Sequence, residues 1–398
     1  METSVFGRQL NILDYALASL RRKLLKNIVV FTVFTLVIFL FSSFQLTSRA
    51  LTEIARQSLA TAPDITVQQM SAGRQSSIPL AAKEQLQGIF GIRRIDTRIW
   101  GYYFDEKNGA NYTVIGLSAV PESAPGGKKT WPGISEGRLP ALSESGKAVI
   151  SGEVRRQLGL GERKFFSLFR PDLSLSSFET IGTFADDSDL VTADLILISL
   201  DDARKLFAIP DGLVTDLLVQ VGNPLEIETI AGKIRNKLAG VRVITKTQIM
   251  KTYEVVFSWR SGLGTICLLT ALVAFVILAW DKASGLSREE LREVGILKIL
   301  GWQTGDIMLL RFFESTTVAF FAFLVGWLLA WVHVGYFAAA LFRPIFLGWS
   351  ILRPGFAMTP PLVVSDFLLV FSISVLPYLC ATAVPAWRAA VVRADSVL

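Results

Sequence analysis

The sequence predicts an α-helical membrane protein with four transmembrane helices and a large extracytoplasmic α/β (α+β) domain of two subdomains, inserted between helices 1 and 2. Three observations favour this class. The 398 residues are 51% hydrophobic with a mean hydropathy of +0.46, which is unusually apolar for a soluble protein of this length. Four apolar windows are each long enough to cross a hydrocarbon core, which takes about 20 helical residues. One long polar stretch separates the first window from the other three.

These windows divide the chain into nine segments, which we expect to alternate between the membrane and the two aqueous sides. They are a cytoplasmic amphipathic entry helix (1–26), transmembrane helix 1 (27–46), the extracytoplasmic domain (47–259), transmembrane helix 2 (260–280), a cytoplasmic coupling loop and helix (281–306), transmembrane helix 3 (307–336), an extracytoplasmic connection (337–362), transmembrane helix 4 (363–384) and a cytoplasmic tail (385–398).

Basic residues set the predicted orientation. Arg21, Arg22, Lys23 and Lys26 precede the first span, and a basic cluster of this kind stays in the cytoplasm. The first apolar run also exceeds the roughly 7 to 15 residues of a cleavable signal peptide, so we expect it to remain as an anchor. The predicted location is the cell inner (cytoplasmic) membrane, with the large domain on the periplasmic side. The net charge of +6 is explained by anionic headgroups, and no nucleic acid partner is predicted.

The outer stretch alternates strand and helix patterns. An outer α/β subdomain (47–125 and 210–259) is predicted to be interrupted by an inserted subdomain (126–209), with seams at Pro121–Gly127 and Ile209–Gly212. The first part forms a βαβ-like unit. The predicted elements are strand Asp64–Met70, helix Leu80–Phe90, strands Arg93–Phe104, Asn111–Ser118, Ala148–Ser151, Phe178–Phe184, Asp194–Ile198 and Leu213–Val221, helix Leu225–Leu238 and strand Val241–Thr245.

Residues with catalytic or metal-binding chemistry are sparse. His333 is the only histidine, which excludes a multi-histidine metal site, and we place it at the membrane interface. Cys267 and Cys380 fall inside predicted spans, where buried thiols usually act as small hydrophobic side chains. No catalytic, cofactor-binding or metal-binding residue is therefore predicted, and the chain is not expected to be an enzyme.

Two loops of the outer domain carry residue types that can bind ligands. Residues 126–130 (GGKKT) lack the spacing of a phosphate-binding loop, so a turn is predicted. Asp186, Asp187 and Asp189 form the densest acidic cluster of the outer domain. A solvated loop is the favoured interpretation of this cluster, with calcium binding as the alternative.

Ionisable residues near the predicted spans are costly and often functional. Asp366 lies near the outer end of span 4. Arg311 and Glu314 lie one helical turn apart near the inner end of span 3, and we expect them to form a structural ion pair.

A short charged helix is predicted in the cytoplasmic loop. Ser287 and Glu290 have the spacing of a capping box at its start. Val294 and Leu297 repeat at helical spacing and are expected to hold the helix in place. Gly301 follows as a C-cap, where a left-handed turn favours glycine.

Several stretches together carry a family resemblance. They are residues 292–302 (REVGILKILGW), the following Asp306 to Glu314, and the terminal stretches PAWRAA (385–390) and DSVL (395–398). They resemble the FtsX-like/MacB-like ABC transporter permease family, the type VII or mechanotransmission class. Trp387 and Ser396 depart from the tail pattern of that family. An amphipathic entry helix before the first span is also part of the family's layout. In this sequence its apolar stripe, which suits the inner membrane surface, is Leu13, Leu17, Leu20 and Leu24.

The resemblance implies a permease subunit that couples ATP hydrolysis by a separate ABC ATPase to movement of its periplasmic domain, for export or extraction of a lipoprotein, lipid, peptide or drug. It implies no cofactor, since ATP is bound by the partner subunit. It further implies a homodimer or a heterodimer with a related permease, contact with membrane lipid, and a periplasmic adaptor or substrate protein as a further partner. The residues expected to carry ATPase coupling are Arg288, Glu289, Glu290, Arg292, Glu293, Gly295, Lys298 and Gly301.

Two alternatives remain open from the sequence. One is a membrane receptor or regulatory protein with a ligand-sensing outer domain, although only about a dozen residues follow the last span. The other is an FtsX-like activator of cell-wall hydrolases. Neither the substrate nor the choice between these roles follows from the sequence.

Overall fold

The computed structural model describes residues 5–60, 62–118, 133–141, 144–185, 192–257, 262–284, 288–347, 358 and 360–391. The predicted turn at 126–130, the acidic cluster at 186–189, the seam at 121–127, the cap residue Ser287 and the tail at 395–398 lie outside these residues. The chain divides into two compact units. The helical unit comprises Met1–Ala50, Ser258–Arg343 and Met358–Leu398, and the sheet unit comprises Leu51–Phe257 and Pro344–Ala357.

Helices dominate the first unit and also cover the sheet of the second. In chain order the described helices are α1 (Val5–Arg22), α2 (Leu24–Ala60), α3 (Ala81–Gln87), α4 (Gly152–Gln157), α5 (Leu200–Leu206), α6 (Ile227–Lys237), α7 (Lys246–Phe257), α8 (Gly262–Ser284), α9 (Arg288–Ile299), α10 (Thr304–Gly335), α11 (Arg343–Leu347) and α12 (Val364–Val391).

Three helical segments of the described chain are long and apolar enough to cross a membrane, namely Asn27–Ala60, Thr304–Gly335 and Val364–Arg388. They contain the predicted spans 1, 3 and 4. The predicted span 2 is helical as α8, but it is not among these three, so the count of four spans stays a prediction. Helix α2 continues without a break to Ala60, past residue 46, and the end of the span at residue 46 stays a prediction.

Aromatic side chains fill the interior of the helical unit. Phe34 of α2 contacts Phe275 of α8 and Tyr378 of α12, with ring centroids 4.9 and 4.8 Å apart. Phe323 of α10 lies against Phe367 of α12 at 4.8 Å. The rings of Phe34, Phe275 and Phe323 are fully or almost fully buried. The four helices α2, α8, α10 and α12 therefore share one apolar core.

The second unit is built on one large sheet. Its order is β13-β1-β12-β4-β5-β10-β7-β9-β6, with β2 added on β1 and β8 on β9, and β3 pairs separately with β11. The strands are β1 (Ile65–Ser71), β2 (Arg74–Ser76), β3 (Ile78–Pro79), β4 (Ile92–Asp105), β5 (Ala110–Leu117), β6 (Ile134–Gly137), β7 (Lys147–Ile150), β8 (Phe165–Phe169), β9 (Leu175–Phe184), β10 (Leu195–Ser199), β11 (Leu213–Val214), β12 (Asp216–Val221) and β13 (Val241–Thr245).

The strand order explains the βαβ-like pattern of the sequence. β12 pairs antiparallel with both β1 and β4, so β1 and β4 run in the same direction with β12 between them. Helix α3 connects β1 to β4, which makes this a split βαβ unit. The strands of 65–117 and 213–245 occupy one end of the sheet, and those of 134–199 occupy the other. The division into two subdomains stays an interpretation, because parallel pairing of β5 with β10 makes the sheet continuous.

Several element predictions need correction. The predicted strand Leu213–Val221 is two strands, because β11 leaves to pair with β3 while β12 enters the main sheet. The predicted helix Leu225–Leu238 begins with a 3₁₀ turn at Pro224–Glu226 before α6. Strands β2, β3, β6 and β8 were missed, since each has only two to five residues and too little alternation to be recognised.

Candidate coupling site

Helix α9 forms where the sequence predicts it, and Gly301 ends it. Gly301 has φ = +93°, and its N–H donates to the carbonyl of Lys298 at 3.0 Å. The N–H of Trp302 donates to the carbonyl of Leu297, also at 3.0 Å. These two bonds make a Schellman ending, which satisfies carbonyls that the helix leaves unpaired. The predicted C-cap is confirmed, whereas the predicted capping box at Ser287 lies outside the described residues.

One side of α9 is buried in the helical unit. Val294, 2% exposed, packs in a cluster with Ile307 of α10 and Ala390 of α12. Leu297, 5% exposed, packs with the α1 residues Ile12 and Ala16 and with Leu310 of α10. The prediction that Val294 and Leu297 hold the helix in place is confirmed.

Helix α1 contributes a face that the sequence did not reveal. Ile12, Ala16 and Ser19 are buried at i, i+4 and i+7 spacing. Leu17 and Leu24, which belong to the predicted membrane-facing stripe, stay exposed. The entry helix is therefore two-sided. Small and apolar residues pack on α9 and α10, while Leu17 and Leu24 stay exposed and Leu13 and Leu20 are half-buried.

Charged groups join α1 to α9 at Glu293. Its carboxylate accepts from Lys23 Nζ at 2.6 Å, from Arg22 at 3.0 Å and from the Tyr15 hydroxyl at 3.2 Å. Burial by itself would raise the pKa of Glu293, but the hydrogen bond and charge of Lys23 outweigh it and hold that pKa below its usual range. Arg22 also lies over the Tyr15 ring, 5.1 Å from its centroid. Glu293 thus anchors α1, a role that the sequence prediction did not assign to it.

A second charged contact fixes the start of α10. The side chain of Asp306 accepts from the backbone N–H of Gln303 at 2.8 Å and completes a capping box with the Gln303 side chain. The same carboxylate pairs with Arg8 of α1. Asp306 therefore connects the entry helix to the turn between α9 and α10.

The remaining face of α9 is exposed and partly apolar. Ile296 is 46%, Ile299 60% and Leu300 71% exposed, and Arg292 is exposed beside them. Their spacing of four, three and one residues places them on adjacent positions of one helical surface. We call these four residues the coupling surface. The sequence predicts the charge of this surface but not its isoleucines, which helical spacing from Arg292 would have indicated. Helical spacing also predicts that Leu300 shares one apolar stripe with Val294 and Leu297, and this was wrong, because Leu300 follows the last turn of α9 and is exposed.

The other predicted coupling residues have different surroundings. Gly295 is buried and Lys298 is half-buried. Arg288, Glu289 and Glu290 belong to the first turn of α9, but their side chains lie outside the described residues. The role of each in ATPase coupling stays a prediction.

The ionisable residues near the spans are paired. Arg311 and Glu314 form the predicted ion pair at 2.9 Å, and the Glu314 side chain is only 7% exposed. Asp366, 1% exposed, accepts from Arg49 of α2 at 2.9 Å. The second pair was missed because its members are 317 residues apart in the sequence.

The histidine and the cysteines also have defined places. His333 is 8% exposed near the end of α10, and its Nε2 accepts from the Leu341 N–H at 3.2 Å. Both cysteines are unbonded thiols; Cys267 is half-buried, but Cys380 is exposed on α12, so burial was the wrong expectation for Cys380. Within the described ranges, histidine, cysteine and acidic side chains form no group of three that could hold a metal ion.

The helices that build this site match a known family. Residues 263–391, which include α9, α10 and all but the start of α8, match the model described as FtsX-like permease C-terminal. This part of the chain is similar to the C-terminal domain of FtsX-like permeases. The similarity agrees with the apolar helices of the described chain, which are long enough to cross a membrane.

A curated relative and two solved structures are similar to longer parts of the chain. An uncharacterized ABC transporter permease of Methanocaldococcus jannaschii is 25% identical over 273 residues, which cover 64% of this chain and 66% of that relative, just under two thirds of its length. The extracellular domain of the noncanonic ABC-type transporter YknZ from Gram-positive bacteria has a TM-score of 0.33 at 12% identity, covering 46% of this chain and 99% of that one. The periplasmic region of MacB from Actinobacillus actinomycetemcomitans has a TM-score of 0.33 at 11% identity, covering 48% and 92%.

Proposed function

We propose that this chain is the permease subunit of an ABC transporter, in which a separate ATPase acts through α9 on the helical unit, and the sheet unit works on the outer side of the membrane. The observation that carries this proposal is the coupling surface of Arg292, Ile296, Ile299 and Leu300. It lies within residues 263–391, on a helix whose opposite side is fixed to α1, α10 and α12.

The surface suits contact with a protein. Exposed isoleucine and leucine beside an arginine are typical of the centre of a protein interface, where water is excluded on binding. Because Val294 and Leu297 bury the other side of α9, a force on the coupling surface is transmitted to α10 and α12 rather than lost in a loose loop. The partner is an ATPase with a groove for a short helix, and the substrate is a molecule extracted or exported at the cell envelope.

The test is co-purification of this chain with the ABC ATPase subunits of its source organism. We expect Leu300→Asp and Ile299→Asp each to reduce recovery of the ATPase about tenfold, as substitution of a central interface residue does. Arg292→Glu should weaken it less. The matched controls are Val391→Asp and Arg388→Glu, which alter exposed residues of α12 outside the coupling surface and should leave recovery unchanged.

Equal recovery of the ATPase with Leu300→Asp, Ile299→Asp and the α12 controls would contradict the proposed interface. Absence of any ATPase in the purified complex would instead favour the receptor alternative. A complex that binds the ATPase and activates a cell-wall hydrolase, without transport, would favour the hydrolase-activator alternative.

A further inference from the structure

In the sheet unit, one helix ends and another begins at the same end of two paired strands. Helix α2 ends at Ala60, and β1 begins at Ile65. Strand β13 ends at Thr245, and α7 begins at the next residue, Lys246. Because β1 and β13 are antiparallel and Ile65 lies opposite Thr245, the end of α2 and the start of α7 are neighbours. We call this place the junction; its residues are Ala60, Asp64, Thr245, Lys246 and Gln248.

Lys246 connects the two helices through both its main chain and its side chain. Its backbone N–H donates to the carbonyl of Asp64 at 2.8 Å, which extends the antiparallel ladder of β1 and β13 by one residue. Its ammonium group donates to the carbonyl of Ala60 at 2.7 Å. Ala60 is the last residue of α2, where carbonyls have no partner within the helix and a cation is favourable. The first residue of α7 therefore binds the end of α2 directly.

The start of α7 is also anchored in the sheet. The Thr245 hydroxyl accepts from the N–H of Gln248 at 3.2 Å, and the Gln248 side chain accepts from the N–H of Thr245 at 3.4 Å, which makes a capping box. The same hydroxyl donates to Glu228 of α6 at 2.8 Å. The Asp64 carboxylate accepts from the N–H of Val221 in β12 at 2.9 Å. The junction is thus fixed to three further elements of the sheet unit.

The far end of α7 is held by aromatic packing. Phe257, the last residue of α7, is 6% exposed. Its ring stacks on Tyr253 with centroids 5.7 Å apart and meets the ring of Phe346 in α11 at 6.4 Å. With both ends fixed, α7 cannot swing away from the junction without losing buried contacts.

We propose that the junction is a clamp, locked by Lys246, that makes α2 and α7 move as a single lever on the sheet unit. The main part of this unit, Leu51–Phe257, begins within α2 and ends with α7, so the clamp joins both of its ends. Strand β13 is the outermost strand at its end of the described sheet, so the lever acts on one edge of that sheet. Use of the lever to carry ATP-driven movement rests on the proposed function, whereas the clamp itself does not.

The experiment measures one distance in the full chain by pulsed electron paramagnetic resonance. Spin labels are attached at Gln57→Cys in α2 and Glu254→Cys in α7, two exposed positions, with Cys267→Ala and Cys380→Ala removing the native thiols. In lipid nanodiscs without an ATPase, we expect a single distance between the labels. Lys246→Met keeps the length of the side chain and removes its ammonium group. It should raise the population of separated helices about fivefold, the effect of losing one hydrogen bond of ordinary strength.

Two variants serve as controls for the loss of the ammonium group. Lys251→Met removes the same charge from an exposed position of α7 outside the junction and should leave the distance unchanged. Lys246→Arg keeps a cation that can donate to the Ala60 carbonyl, so the single distance should be retained. Equal populations of separated helices in Lys246→Met and Lys251→Met would overturn the proposal.

A second measurement retains Lys246 and decides even if Lys246→Met does not fold. In the complex with the ABC ATPase, a non-hydrolysable ATP analogue should leave the distance between the two labels unchanged, because clamped helices move together. A change of this distance on nucleotide binding would overturn the clamp. Failure to recover any ATPase would contradict the proposed function instead, and the measurement in nanodiscs would still decide whether the clamp exists.

Discussion

Gly301 shows how a single residue sets the geometry of the coupling site. With φ = +93° it lies in a backbone region that residues with a Cβ adopt at a cost, although a Cβ there would meet no atom within 4 Å. The penalty of a substitution is therefore backbone strain alone. Because both Schellman bonds depend on this conformation, Gly301 fixes where α9 stops and the chain turns into α10.

We predict that Gly301→Ala destabilises the α9 ending by about 1 kcal/mol, the cost of a left-handed conformation for a residue with a Cβ. Gly305→Ala is the matched control. That glycine lies in the first turn of α10 with no positive φ and no atom within 4 Å of an added Cβ, so alanine should be neutral or stabilising. Amide hydrogen exchange of α9 in the full chain measures both. Equal exchange in the two variants would show that the ending does not depend on the left-handed glycine.

At the scale of elements, α1 and α9 are held together by apolar packing and by one charge cluster. Leu297 packs against Ile12 and Ala16. Glu293 pairs with Arg22, the last residue of α1, and with Lys23, which follows it. An ion pair of this kind is partly buried, since Glu293 and Lys23 are 23% and 26% exposed at their side chains. It is therefore screened less than a surface pair, and it ties the entry helix to α9.

The lowered pKa of Glu293 gives this contact a defined pH dependence. A carboxyl whose pKa is lower in the folded state stabilises that state above its unfolded pKa, about 4.3, and the stabilisation is lost as the pH falls through the lowered value. We expect docking of α1 to be unchanged from pH 8 to 5 and to weaken below about pH 4. Hydrogen exchange of α1, corrected for intrinsic rates, checks this.

Glu293→Gln should weaken docking of α1 by about 1 kcal/mol at pH 7, a free energy between those of exposed and buried ion pairs. The same substitution should abolish the pH dependence of docking. The matched control is Glu53→Gln, which removes a carboxylate that pairs with Arg56 one turn away on α2 and should leave α1 unaffected. Retention of the same pH dependence in Glu293→Gln would assign it to another group.

At the scale of the whole molecule, the sheet unit behaves as one body because its sheet has no break. The two halves meet at β5 and β10, where the N–H and the hydroxyl of Thr113 donate to Asp194. Helix α5 lies directly on this junction. A Cβ on Gly116 of β5 would lie 2.5 Å from the Cβ of Ala203 in α5, so only glycine permits this approach.

We predict that Gly116→Ala separates α5 from the junction and destabilises the sheet unit by about 1 to 3 kcal/mol, as overpacking of a core does. Since the sheet is continuous, both halves should lose protection in one transition. Limited proteolysis of the full chain during thermal unfolding measures the loss of protection in each half. The control is Gly232→Ala in α6, because an added Cβ there meets no atom within 4 Å. Early cleavage confined to 134–199 would show that the halves unfold separately.

Much of the fold could be predicted because local pattern decides it. The spacing of apolar residues located α9 and most strands within a few residues, and glycine chemistry located Gly301. Short strands such as β2 and β3 could not be predicted, since two or three residues carry no periodicity and are held by pairing with distant strands. The two isoleucines of the coupling surface could not be predicted for a related reason: Ile296 and Leu297 are equally hydrophobic, and only packing decides which of them is buried.

By itself, the sequence determined the membrane class of this chain, the charged helix ending at Gly301, and the likeness to FtsX-like permeases, because composition, helical periodicity and terminal motifs are local properties. The tertiary structure alone decided that Glu293 faces Lys23 beside α1 and that Arg49 meets Asp366. These pairs lie 270 and 317 residues apart in the sequence. No spacing rule connects such residues, because their proximity follows from how long helices pack side by side.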